Sequence, residues 1–419
     1  MRSRRRRFEE RIRSVSTPSV LLAVLMIATA CGGGAGGDDS MATTPIPEPS
    51  ASAPGGSPSP PSPTPKFTPL RPPTPGYSDD IVLGVGYVWQ GRPGDRDRVS
   101  APVIFRLAAG SWTAVEPQVP ENALLLDVTF SSETTAWAWG WVGNDGSFLI
   151  KSEDAGETWN DATQLLPEVG PLEGLLLTDL WFRNDEGWAV AGGLLGGLWV
   201  ARSRDEGQNW SEVEGPFGPA RLGHTFGSRG GIVEIFSNAN TFQRADPVGP
   251  PMSIGPSDFR GRAFATFDDR GWIGGSDPFL PAIISAAQGE LWEDQPLDVE
   301  DDGKILAIDF RDSRNGLACG YSYFRDRPAN PVICFFTTNG GEEWQRAAVP
   351  SGALTIEGPL DVVWGPDDGA WLTTWTVEPL TPVLLHSEDG GRTWEHADLP
   401  FAGEGLIRQL ARSSETRGR

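Results

Sequence analysis

Histidine, cysteine and tyrosine are scarce in this chain: three, three and four among 419 residues. The histidines and cysteines share no ligand spacing, so no metal cluster is recognisable. No nucleophile elbow and no glycine-rich phosphate loop occurs either. Positive charge is also short, with 34 Lys and Arg against 56 Asp and Glu and a formal net charge of −22. Seven of those arginines fall in the first thirteen residues, so the remainder is more acidic still. Such a surface repels nucleic acid and anionic lipid headgroups; it favours solubility, cations and basic partners. Long hydrophobic runs are missing too. The longest, SVLLAVLMIATA at 19–30, falls short of the roughly 20 residues that span a bilayer.

That run follows the arginine-rich start MRSRRRRFEERIR and ends in Ala28-Thr29-Ala30-Cys31. A basic start, an apolar stretch and small residues have the form of a secretory signal peptide. The small residues before a lone cysteine resemble the lipobox of bacterial lipoproteins. The resemblance implies cleavage before Cys31 and a lipid on its sulfur, hence an extracytoplasmic protein anchored to a membrane. An ordinary secretory signal with a chance cysteine is the other reading. Residues 1–30 are thus read as signal peptide and 31–76 as a tether. Thirteen prolines between Pro45 and Pro75 make that tether an extended, semi-rigid spacer.

Beyond residue 77 the sequence repeats itself. SEDAGETW at 152–159, SRDEGQNW at 203–210, TTNGGEEW at 337–344 and SEDGGRTW at 387–394 share one skeleton. Its fixed points are Ser152, Asp154, Gly156 and Trp159; Ser203, Asp205, Gly207 and Trp210; Asn339, Gly341 and Trp344; and Ser387, Asp389, Gly391 and Trp394. A worn copy, SAAQGELW, lies at 285–292. Before each copy stand two alternating runs split by a polar turn, as in DVTFSSETTAWAWG at 127–140 and DLWFRNDEGWAVAG at 179–192. Alternation of this kind predicts a β-hairpin. A third short run enters the motif and a fourth leaves it. One unit is therefore four antiparallel strands in 40–50 residues, the period of a β-propeller. The count predicts an all-β fold of seven blades over 77–403, with six or eight left open, and a C-terminal tail at 404–419. The blades are expected near 79–119, 120–165, 166–215, 216–250, 251–297, 298–350 and 351–403.

The motif reads as a turn between the third and fourth strands. Glycine suits a positive φ, Ser and Asp accept from open backbone N–H groups, and Trp offers a flat face to bury. S/T-x-D-x-G-x-T-W resembles the Asp-box, or bacterial neuraminidase repeat. The paired grammar GWAVxG…SxDGGxTW is similar to the photosystem II stability/assembly factor family. In sialidases and related families the site lies on the face opposite the Asp-boxes. By that resemblance the repeat is frame and the working residues sit in unrepeated loops.

The most informative such loop is YSYFRDRPANP at 321–331, with Tyr321, Tyr323, Arg325 and Arg327 as candidate ligand-binding residues. Aromatics and arginines together suit anions, carboxylates or peptide. If the hairpin centres near Asp326 and Arg327, Cys319 and Cys334 lie opposite each other. A disulfide then fits an oxidising compartment, with two buried thiols as the alternative. Arg221, His224 and Trp375 belong to other loops expected on this face. The acidic run DVEDDGKILAID at 298–309 follows calcium-loop spacing through Asp298, Glu300, Asp302 and Gly303, but ends in Asp309 and is flanked by strands. No other cofactor is expected.

These features favour a non-catalytic binding or scaffold module for a protein, peptide or glycan partner. A sialidase-like glycoside hydrolase is the alternative. Its family motif begins Phe-Arg-Ile-Pro, whereas this chain has FRLA at 105–108, better suited to a strand.

Overall fold

In the computed structural model each alternating run becomes a strand. The description covers residues 81–413 apart from loop segments such as 91–98, 166–174, 218–223, 324–329 and 376–381. The expected signal peptide, Cys31 and the proline-rich tether lie outside the described residues. The first sheet contains β1 (Val82–Gln90), β2 (Val99–Ala108) and β3 (Ser111–Val115). The second holds β4 (Ala123–Phe130), β5 (Ala136–Val142), β6 (Ser147–Ser152) and β7 (Asn160–Asp161). The third holds β8 (Leu175–Arg183), β9 (Glu186–Gly193), β10 (Leu198–Ser203) and β11 (Trp210–Glu212). The fourth holds β12 (His224–Arg229), β13 (Ile232–Ser237), β14 (Thr241–Asp246) and β15 (Met252–Ser253).

The fifth sheet contains β16 (Arg260–Phe267), β17 (Arg270–Asp277), β18 (Leu280–Ala287) and β19 (Glu293–Gln295). The sixth contains β20 (Gly303–Phe310), β21 (Gly316–Ser322), β22 (Asn330–Thr337) and β23 (Gln345–Arg346), with a short extra strand β24 (Leu354–Thr355) on β22. The seventh contains β25 (Asp361–Trp364), β26 (Ala370–Trp375), β27 (Pro382–Ser387) and β28 (Glu395–Ala397). The last strand, β29 (Gly405–Arg412), returns to the first sheet and pairs with β1. This corrects the expectation of a C-terminal tail from 404 onward. Ser413 completes the clasp: its N–H donates to the Ile81 carbonyl (2.9 Å) and its hydroxyl accepts from the Ile81 N–H (3.0 Å).

The architecture is a β-propeller with four-stranded antiparallel blades. Among the described residues the strands group into seven sheets. The inner strands touch in the order β29, β4, β8, β12, β16, β20, β25 and back to β29. Each of β4, β8, β16 and β20 carries a register shift against its second strand, and β29 carries one against β1. A bulge of this kind bends and twists a strand, which suits the narrow centre of a propeller. Just before the bulge the second strand approaches closely. A Cβ at Gly140 would meet the Leu124 carbonyl at 1.8 Å, and Gly86 and Gly320 face the Leu406 and Lys304 carbonyls in the same way. The closing glycine of the AWAWG and LACG runs is thus required by backbone proximity.

The Asp-boxes are built as their residue types suggest. Ser152 donates to Asp154 (2.8 Å) and accepts from the Gly156 N–H (2.7 Å). Asp154 accepts from the N–H and the hydroxyl of Thr158 at 2.8 and 2.6 Å, and the Trp159 indole donates to the Gly156 carbonyl. The boxes beginning at Ser203 and Ser387 repeat the pattern. In the box beginning at Thr337, the Thr337 hydroxyl and Asn339 take the first two roles. These bonds satisfy the turn's open donors, the function Asx and Ser/Thr turns serve elsewhere.

Each box also locks neighbouring blades. Gly207 lies at φ 83° with Trp137 of the preceding sheet so close that a Cβ would sit 2.7 Å from its ring. Trp137 stacks on Phe182 of the inner strand β8 (5.6 Å), and Phe182 meets Trp210 edge-on (6.1 Å). Trp272, Phe310 and Trp344 form the same triplet, and Trp272 donates to the Gly340 carbonyl. Leu83 under Gly156 and Leu317 under Gly391 occupy the equivalent place with an aliphatic side chain.

At the position just before the box, the third strand faces this second-strand residue. Trp137 pairs with Lys151, Trp188 with Arg202 and Trp371 with His386. Burial holds His386 below the ordinary histidine range, while Glu388 and Glu395 pull the other way.

Cys319 and Cys334 are cross-strand partners and form a disulfide. Replacing both by serine is expected to lower unfolding free energy by about 3 kcal/mol, as a fifteen-residue loop is released. Gly207→Ala is expected to cost roughly 2–4 kcal/mol through positive-φ strain and collision with Trp137. Arg204→Ala in the same loop should cost almost nothing, since Arg204 is exposed. Denaturant titration of the three variants measures all three expectations.

Candidate functional site

The inner strands leave one edge without a partner strand, facing the axis of the ring. Side chains from β4, β8, β16, β20, β25 and β29 line a cavity of about 310 Å³ there. Four carboxylates reach it: Asp127, Asp179, Asp309 and Asp361, together with Arg262 and Gln409. Unpaired strand N–H groups need acceptors, and the carboxylates supply them. Asp309 accepts from the Trp364 N–H on the next inner strand (3.0 Å). Asp361 accepts from the Leu410 N–H on the strand after that (2.7 Å), and Asp127 from its own neighbour Val128 (2.7 Å).

Gathering acids on one axis has an electrostatic consequence. Desolvation and the nearby Asp179 charge push the Asp127 carboxyl well above the usual carboxylate range, against the Val128 hydrogen bond; Asp361 adds to the rise and Arg408 opposes it. The Asp-box carboxyls are shifted the other way. Burial raises Asp154 and Asp389, but the hydrogen bonds from Thr158 and Ser152, and from Thr393 and Ser387, outweigh it and both sit below the usual value. The two groups therefore have opposite pH signs. A lowered carboxyl stabilises the fold above the unfolded pKa of about 3.9, and that contribution is lost as pH falls through the folded value. A raised carboxyl stabilises only below about 3.9, and its contribution is lost as pH rises toward the folded value. Asp127→Asn is thus expected to raise Tm at pH 7 by a few degrees and to leave it unchanged at pH 3.5, read by thermal unfolding at both pH values.

The opposite mouth of the ring is formed by loops joining second to third strands. Here the structure divides the residues expected to bind a ligand. Tyr323 is 45% exposed, whereas Tyr321 is 1% exposed and belongs to the core. The expectation that Tyr321 reaches a ligand is corrected: it lies on β21, opposite Lys304 of β20, not in the loop. Arg325, Arg327 and Arg221 lie outside the described residues, and so does the side chain of His224, whose backbone opens β12. Trp375 ends β26 half-buried. The calcium-type spacing dissolves as well. Gly303 to Asp309 belongs to strand β20, where Asp309 turns to the axis to hold Trp364; Asp298 is exposed before that strand, and Glu300 lies outside the described residues.

A residue the sequence did not single out completes this mouth. Phe279, 61% exposed, sits in the turn between β17 and β18. Its carbonyl accepts from the Gly303 N–H (2.6 Å), and the adjacent Asp302 carbonyl accepts from the Tyr323 N–H (2.5 Å). Two exposed aromatics from neighbouring blades are therefore tied through one dipeptide. The third exposed large apolar residue among those described, Leu291, lies in the worn Asp-box copy. A lone bulky residue in a short turn, as in SDPFLP, carries no periodic signal in the sequence.

The arginine of FRLA lies elsewhere. Arg106 is on β2, donates to the Ala155 carbonyl of the adjoining Asp-box (2.9 Å) and pairs with Glu157 (3.2 Å). It serves the frame on the Asp-box face. Among the described residues no helix is long and apolar enough to cross a membrane.

No protein-family model matches the chain, and no curated protein does. Solved structures do. A structure of YCF48 bound to D1 peptide is 19% identical over 67% of this chain and 83% of its own, with a TM-score of 0.44. YCF48 from Cyanidioschyzon merolae is 16% identical over 70% and 96%, with a TM-score of 0.49. The BP39L lectin from Burkholderia pseudomallei is 13% identical over 76% and 96%, with a TM-score of 0.50. These are likenesses of fold.

Proposed function

We propose that this protein is a bacterial lipoprotein whose propeller, read as seven blades in one closed ring, binds a protein, peptide or glycan partner without catalysis. Binding uses the face opposite the Asp-boxes. The observation that carries this reading is the Phe279–Tyr323 pair, held by backbone bonds to Asp302 and Gly303. Exposed aromatics held by backbone hydrogen bonds offer a flat apolar surface, which suits stacking on a sugar ring or an aromatic side chain. The Asp-box residues are committed to hydrogen bonds and blade contacts, which leaves this face for recognition. BP39L, a lectin of the same fold, keeps glycans beside peptides as the partner class. Cys31 carries the lipid, and the proline-rich segment holds the propeller away from an extracytoplasmic membrane surface.

Affinity capture from the native envelope tests the binding face. The full chain is expected to retain a partner that the Phe279→Ala/Tyr323→Ala variant loses by tenfold or more, as a hot spot worth about 1.4 kcal/mol requires. Equal capture by both baits would overturn the assignment. For the anchor, radiolabelled palmitate is expected to label the wild type and not Cys31→Ala; equal labelling would refute it.

One observation favours a second reading. A carboxyl raised above the usual range by burial and a neighbouring acid is the arrangement a glycosidase uses for its general acid, and Asp127 near Asp179 has that form. Hydrolysis of a glycoside panel by the wild type, lost in Asp127→Asn, would establish it in place of the binding reading.

A further inference from the structure

In the second and third sheets the position just before the Asp-box has the same task. In the second sheet Lys151 places its ammonium 5.2 Å from the Trp137 ring centre and pairs with Glu153 at 2.7 Å. In the third, Arg202 sits 5.0 Å over Trp188 and pairs with Glu186. Each of these two sheets thus carries a cation resting on an indole face and held by a carboxylate, a combination in which cation–π attraction and charge pairing reinforce one another.

The seventh sheet keeps the indole and the carboxylates but not the fixed cation. His386 stacks on Trp371 with ring centres 4.1 Å apart and planes 25° from parallel. Glu388 stands two residues after it, as Glu153 stands after Lys151. Glu395 is its cross-strand partner on β28. Two carboxylates are therefore gathered on a site whose counterparts hold one each. His386 is 8% exposed, and among the described residues its ring nitrogens form no hydrogen bond. One donor atom from each of the three side chains lies within 4.8 Å of the other two.

We propose that His386, Glu388 and Glu395 form a binding site for a zinc-class divalent cation, which takes the place that Lys151 and Arg202 fill in the second and third sheets. One imidazole nitrogen and two carboxylate oxygens are the donor set such ions accept in four-coordinate sites, with water as fourth ligand. A tetrahedral ion with bonds of about 2.0–2.2 Å holds its donors roughly 3.4 Å apart. The stacked imidazole is the fixed member. Glu388 and Glu395 are both exposed and are free to swing the remaining distance. The bound ion would tie β27 to β28 and to the box between them, on the face away from Phe279 and Tyr323. The proposal is thus independent of what that face recognises.

The test uses the purified, metal-free full chain with Co²⁺ and Zn²⁺ as probes. One equivalent of Co²⁺ is expected to give the visible absorption of a four-coordinate complex, and Zn²⁺ is expected to displace it and raise Tm. Loss of outer-shell support alone weakens metal sites about 10–100-fold, so loss of a ligand should weaken this one at least tenfold. That loss is expected in His386→Phe, which keeps the stack on Trp371, and in Glu388→Gln/Glu395→Gln. His396→Ala, altering the exposed histidine next along β28, should leave affinity unchanged. If His386→Phe loses its far-ultraviolet dichroism, the double glutamine variant decides, since both of its side chains are exposed. Absence of saturable binding to the wild type overturns the proposal, as does unchanged affinity in the double variant or in a folded His386→Phe.

Discussion

The stack of a second-strand side chain beneath the next blade's Asp-box glycine is the contact on which the rest of this structure depends. Sheets whose strand ladders close within each blade must find much of their cohesion between blades in side-chain packing. Trp137 and Trp272 provide it by lying flat on Phe182 and Phe310, whose other edges meet Trp210 and Trp344. The box glycine cannot carry a side chain because the neighbour already fills that space, and the positive φ it adopts brings the turn down onto the ring. One residue therefore serves both the turn and the interface. Where an aliphatic replaces the indole, as at Leu83 and Leu317, the same glycine still closes over it.

At the centre the constraint is different. There the inner strands have free edges and cannot be covered by another strand. Carboxylates at Asp309 and Asp361 reach across to N–H groups of adjacent inner strands, so part of the inter-blade order is polar. This arrangement draws like charges together, and the strain appears in the raised Asp127 carboxyl.

Much of this was legible in the sequence because the physics repeats. The Asp-boxes, the alternating hairpins and the opposition of Cys319 to Cys334 follow from period, turn chemistry and register. Three things were not legible. The sequence ran the first blade from 79 and saw a tail after 403, because β29 has no motif of its own; its place is set by pairing with β1, far away in the chain. Tyr321 looked like a loop residue because a hairpin's ends cannot be read to within two positions, and one position in a strand exchanges core for solvent. Phe279 was overlooked for the opposite reason: a single exposed aromatic at a turn carries no pattern.

The division between a repeated frame and unrepeated working loops needs one refinement. Repetition conserves the roles of the backbone-binding Ser, Asp, Gly and Trp, but not of the residue just before them. That position is Lys151, Arg202, Phe336 and His386 in the four boxes, and each rests against or replaces part of the same second-strand surface. Phe336 receives the guanidinium of Arg392 from the next blade at 5.1 Å, so even there a cation finds an aromatic face. A frame that repeatedly offers a pre-built aromatic floor beside carboxylates can change what sits on that floor without disturbing the turn. Swapping a fixed cation for an imidazole changes chemistry, not fold, so function need not be confined to the loops that escape the repeat.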